Sequence, residues 1–87
     1  MAKLSKRASR IIAIGEDHFG KLWQSKMARA TGVPQSLLAM VAGNDRQPTD
    51  ELYRRIAVGL IKEADRLRAA ADKFDKLAGS MIRELEE

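Results

Sequence analysis

Few side chains in this sequence of 87 residues are equipped for chemistry. His18 is the sole histidine, and there is no cysteine. Glu16 and Asp17 stand next to His18, but neighbours one and two apart on a helix do not face each other, so they form no catalytic pair. No metal set, glycine-rich phosphate loop or nucleophile motif can be assembled either, and neither an enzyme nor a cofactor is expected. Hydrogen bonding and positive charge remain. Gln24 and Gln35 carry carboxamides, which donate and accept at once. Residues 1–46 hold eight Lys/Arg against three Asp/Glu, and residues 47–87 hold eight against nine, so the halves carry +5 and −1 of the net +4. A basic half is suited to phosphate neutralisation, and a carboxamide to bidentate recognition of an adenine edge.

The elements that must position these groups are legible in Gln24 to Gly43, QSKMARATGVPQSLLAMVAG. Its small and apolar residues fall where two short helices crossing at a tight turn need them. Ala28 is small enough for close approach, and Gly32 can take the positive φ that ends a first helix. Val33, Leu38 and Val41 point inward, and Gly43 stops a second helix spanning about 34–42. Upstream, Leu4, Ala8, Ile11, Ile12 and Phe19 form a helical stripe that starts near Leu4 or Ser5 and stops at Gly20, with Gly15 as a weak point. Trp23 then seals one end of a small core.

This pattern, extended by GEDHFGKLWQS (Gly15 to Ser25), resembles the compact helix-turn-helix regulators of phages and mobile elements, the Cro/repressor-like, Xre-type proteins, over roughly residues 4–60. The resemblance implies a transcriptional repressor that reads a palindromic operator in double-stranded DNA, its second motif helix in the major groove. The base-contacting positions are then Gln35, Ser36, Ala39 and Met40, with Met40 available to a thymine methyl. In such repressors a glutamine opening the first motif helix supports the one near the start of the recognition helix, and Gln24 and Gln35 match that arrangement. Phosphate contacts fall to Gln24, Lys21, Lys26 and Arg29 around the first motif helix, and to Asn44 and Arg46 in the loop after the second. Lys3, Lys6, Arg7 and Arg10 form either a further basic arm or a solvated helix face. The sequence also departs from the family. Residues 34–42 contain no Arg, Lys or Asn, so the strongest guanine-reading chemistry is missing, and Pro34 stands where a capping side chain is usual. Leu37 is left at the margin of the core.

Thr49, followed by Asp50 and Glu51, marks the start of a last helix, and no proline follows. Gly59 and Gly79 are its soft points. Leu60, Leu67, Phe74 and Met81 recur every seven residues, interleaved with Ala57, Ala64, Ala71 and Ala78 and then Leu85, which makes a coiled-coil seam. Alanine at every second core position resembles the packing of antiparallel Ala-coils, and Arg68–Asp72 and Asp72–Lys76 are placed as i,i+4 pairs. The expected architecture is all-α: a helix-turn-helix region, 1–48, then a long helix, 49–87, that completes the core and forms a homodimer through Leu60, Ala64, Leu67, Ala71, Phe74, Ala78, Met81 and Leu85. A core this small gains from the second copy.

No stretch reads as a signal peptide or a membrane span, and the lack of cysteine suits a reducing, cytoplasmic setting. Two other readings keep the same scaffold. A helical interaction module, antiactivator or antitoxin-like, would use Leu37, Met40 and the alanine seam to hold a protein partner. A nucleoid-type protein would bind DNA without sequence preference.

Overall fold

Ser5 is an N-cap: its hydroxyl accepts from the Ala8 amide at 3.1 Å and opens α1, Lys6–Phe19. The computed structural model describes residues 3–87, so the first two positions of the region 1–48 lie outside it. Three further helices follow, α2 (Trp23–Thr31), α3 (Gln35–Ala42) and α4 (Asp50–Glu86), and the protein is all-α. Each boundary has a local cause. Gly20, at φ 80°, ends α1, and Gly32, at φ 74°, ends α2 with its amide on the Ala28 carbonyl at 2.9 Å. Thr49 caps α4 by accepting from the Leu52 amide at 3.1 Å, and Asp50 and Glu51 occupy the first turn, where the macrodipole favours acids.

One boundary of α3 differs from the sequence expectation, and the other, at Gly43, stands where expected. Pro34 is the N-cap of α3 and not its first helical residue, with ψ at 134°. Gly43 ends α3 at an ordinary negative φ, and the left-handed residue is the next one, Asn44, at φ 61°. The amides of Gly43, Asn44 and Asp45 bond back to the carbonyls of Ala39, Val41 and Met40, which closes the helix end.

The core is made by Ala8 and Ile11 of α1, Trp23 and Met27 of α2, Val33 in the turn, Leu38 and Val41 of α3, and Leu52 and Ile56 of α4, all buried. Helix α2 is the hub, packing against each of the other three. Two glycines expected to soften helices are contact points instead. Gly15 is buried under the indole of Trp23, which fills the space a Cβ would need, and Gly59 is buried against the backbone of Thr31. Small residues here let helices approach; they are not hinges.

From Leu60 onward α4 leaves the core. It runs unbroken past Gly79 for 37 residues in all, giving the molecule extents of 65 × 23 × 19 Å. Among the described residues no helix is long and apolar enough to cross a membrane.

Candidate nucleic-acid interface

The turn between α2 and α3 is only Gly32, Val33 and Pro34, and it is braced from several sides. Val33 is 1% exposed and anchors the turn in the core. Thr31 donates from its hydroxyl to the Met27 carbonyl at 2.7 Å, and the same oxygen accepts from the Val33 amide at 3.3 Å. Arg55 of α4 donates to the Gly32 carbonyl at 3.2 Å, placing a cation at the C-terminal end of α2. Arg55 is a positioning residue that the sequence did not single out, because its partner is 23 positions away.

This bracing fixes which face of α3 is left open. Leu38 and Val41 are buried and Leu37 is half-buried, packed at the core margin. Gln35, Ser36, Ala39 and Met40 are all exposed. The four positions expected at base edges therefore form one continuous outer surface at spacings of one, three and four residues. Gln24 is the second residue of α2 and half-buried, and Lys21 stands exposed just before that helix.

The helix starts differ in a way that matters for anions. Ser5 and Thr49 cap α1 and α4 with side-chain oxygens, whereas α2 and α3, begun by Leu22 and Pro34, have no side-chain cap. First-turn amides without an internal acceptor, together with the positive end of the macrodipole, suit phosphate oxygens. Both helices of the motif thus start without a side-chain cap, and the two helices outside the motif start with one.

The remaining cations separate into groups. Arg46 is exposed after α3, and Asn44 is held at the helix end, where its side-chain oxygen accepts from Gln47 at 3.2 Å. Lys26 and Arg29 line a hollow with Phe19, Ala30, Lys62, Glu63 and Arg66, on the flank where α2 meets α4. Arg7 and Arg10 form neither a free arm nor a merely solvated face. Arg7 pairs with Asp50 at 2.5 Å and lies 5.0 Å from the Tyr53 ring centroid, and Arg10 donates to the Tyr53 hydroxyl at 3.3 Å, tying α1 to the start of α4. The Arg7 guanidinium holds the Asp50 carboxyl below its ordinary pKa. Lys3 and Lys6 are exposed, as is His18 near the end of α1.

Of the seam residues, Leu60 and Ala64 are half-buried against the head formed by α1–α3. Leu67, Ala71, Phe74, Ala78, Met81 and Leu85 are exposed, Phe74 at 68% and Leu85 at 86%. The expected pairs Arg68–Asp72 and Asp72–Lys76 do not form. Arg68 bonds Asp65 at 2.9 Å and Arg66 bonds Glu63, each three residues back, where the shorter Asp and Glu stems meet the guanidinium. Comparison of the chain with protein-family models, with curated proteins and with solved structures finds no match.

Proposed function

We propose that the protein is a dimeric, sequence-specific DNA-binding regulator, a repressor of the kind its helix-turn-helix sequence resembles, with α3 entering the major groove. The observation that carries this reading is the outer face of α3. A three-residue turn locked by Gly32, Val33 and Arg55 holds Gln35, Ser36, Ala39 and Met40 in solvent while the rest of the helix is in the core. Gln35, in the first turn, offers an adenine its carboxamide; Ser36 reaches a base or a phosphate, and Met40 a thymine methyl. The uncapped starts of α2 and α3, with Lys21 and Gln24 at the first of them, and Asn44 and Arg46 in the loop after α3 supply phosphate contacts. No side chain of α3 is charged, so affinity comes chiefly from the backbone contacts and selectivity from a small number of edges.

The test is retardation and footprinting on DNA flanking the protein's own gene, with random DNA as competitor. Protection of a palindrome that survives competition supports the reading. Equal competition by random DNA points to non-specific binding, and no retardation at low salt ends it.

The apolar, uncharged α3 is also what a protein-binding helix would present, which favours an adaptor as the second reading. Gln35→Ala separates the two: it weakens and relaxes selective DNA binding by a regulator and leaves an adaptor's partner phenotype untouched.

A further inference from the structure

We infer that the distal part of α4 pairs with the same helix of a second copy, antiparallel, in a register that sets Ala64, Ala71 and Ala78 each against a large side chain. The inference is carried by the seam alone and does not depend on DNA binding. Leu67, Phe74 and Met81 are more than half exposed in the protomer, and they share one face of a helix that none of the described residues covers. A parallel, in-register pair would stack Ala71 on Ala71 and Phe74 on Phe74. The helix axes would then have to move apart and together from one layer to the next, which straight, close-packed helices do not do.

Antiparallel pairing about a two-fold axis between Asp72 and Lys73 removes that conflict. Ala71 meets the partner's Phe74, Leu67 meets the partner's Ala78, Ala64 meets the partner's Met81, and Leu60 meets the partner's Leu85. By symmetry this gives eight layers, six of which join one alanine to one large residue, so the separation stays nearly constant. The flanks agree with the same register. Arg68 falls opposite the partner's Asp75, and Ile61 opposite the partner's Ile82. Within its own chain Arg68 reaches only the exposed Asp65, and among the described residues Asp75 has no ion-pair partner of its own. Glu63, which falls opposite the partner's Glu84, is already neutralised by Arg66.

The head extends the fit. Ile14, His18 and Phe19 of α1, with Leu60, Ala64 and Leu67 of α4, line an open groove of about 700 Å³ at the proximal end of the seam. The partner's Met81 and Leu85 end there. The adjoining hollow, with Lys26, Arg29, Lys62 and Arg66, is basic, and the partner's Glu84, Glu86 and Glu87 arrive beside it. Lys26 and Arg29 thereby meet the partner's acidic end in place of phosphate.

One consequence does rest on the proposed function. Ile56 roots α4 in the head some 16 residues from the axis, so at 1.5 Å per residue the two heads stand roughly 50 Å apart. That exceeds the one duplex turn of about 34 Å that separates adjacent half-sites, so the pair does not fit half-sites one turn apart without bending.

The chain has no cysteine, so single replacements report the register directly. Met81→Cys and Ala64→Cys are each oxidised alone and then after being unfolded and refolded together. The expected result is no cross-link in either alone and a Met81Cys–Ala64Cys cross-link, formed by the heterodimers, in the mixture. Cross-linking of Met81→Cys alone indicates parallel helices and overturns the proposal, as does a monomeric mass of the unmodified chain by light scattering, or a mixture that never cross-links. Charge reversal supplies a second measurement at exposed positions that leave folding intact: Arg68→Asp and Asp75→Arg each raise the dimer dissociation constant roughly two- to tenfold, and the double variant restores it. Additive loss without rescue also overturns the register. None of these measurements contains DNA, so a failed operator search leaves them unaffected.

Discussion

Gly59 of α4 rests directly on Thr31 of α2: a Cβ built at position 59 would lie 2.6 Å from the Thr31 Cα. Since that neighbour is backbone, it cannot rotate away. Gly59→Ala should therefore destabilise the protein by about 1 to 3 kcal/mol through overpacking, although alanine is the better helix former. Gly79→Ala is the control. Its Cβ meets nothing nearer than the flexible end of Arg83 at 3.4 Å, so the variant should gain about 0.5 to 1 kcal/mol. Urea unfolding of both variants beside the parent checks the opposite signs.

Met27 is fully buried at the hub of the three-helix head. Truncation to alanine leaves a cavity between α1, α3 and α4, and should cost about 2 to 5 kcal/mol. Thr49→Ala, by contrast, removes one hydroxyl acceptor from the Leu52 amide and should cost roughly 0.5 to 2 kcal/mol. Thermal melts followed by circular dichroism rank the two.

These two predictions also mark where the sequence was readable. The start of α1 near Ser5, the helix start at Thr49, the left-handed Gly32 and the inward Val33, Leu38 and Val41 all follow from local chemistry and helical spacing, and they stand where expected. Gly15 and Gly59 were read as weak points because their partners, Trp23 and Thr31, lie on other helices. Arg7, Arg10 and Arg55 have partners 43, 43 and 23 positions away, so periodicity carries no trace of them. The outward set of α3 was legible, since burial of Leu38 and Val41 dictates which positions remain open. The placing of Lys26 and Arg29 was not, because it depends on where α4 crosses α2.

The Arg7–Asp50 pair predicts an acid limb. With the folded-state pKa of Asp50 depressed, chiefly by the hydrogen bond from Arg7, the contribution of the pair is present above the ordinary carboxylate value of ~4 and is lost as pH falls through the lower folded value. Asp50 is exposed, so the effect on stability is small. The sharper measurement is the NMR titration of its carboxyl. In Arg7→Ala the midpoint should rise toward the ordinary value, with Arg54 still holding it down in part, and an unchanged midpoint would show that the pair does not form in solution.

Gln35→Ala should weaken binding to the cognate operator by about 1 to 3 kcal/mol and relax selectivity at one position of each half-site, with no loss of folded structure. Lys21→Ala should weaken cognate and random DNA alike and reduce the salt slope by about one per subunit. Equilibrium titrations at several salt concentrations, on both DNAs, distinguish these two signatures.

A straight rod of this length works as a lever. Leu85 lies about 40 Å along the axis from Gly59, so a tilt of roughly 5° at that root carries the tip sideways by about 3 to 4 Å. A single methyl group at position 59 thus has enough mechanical advantage to displace the far end.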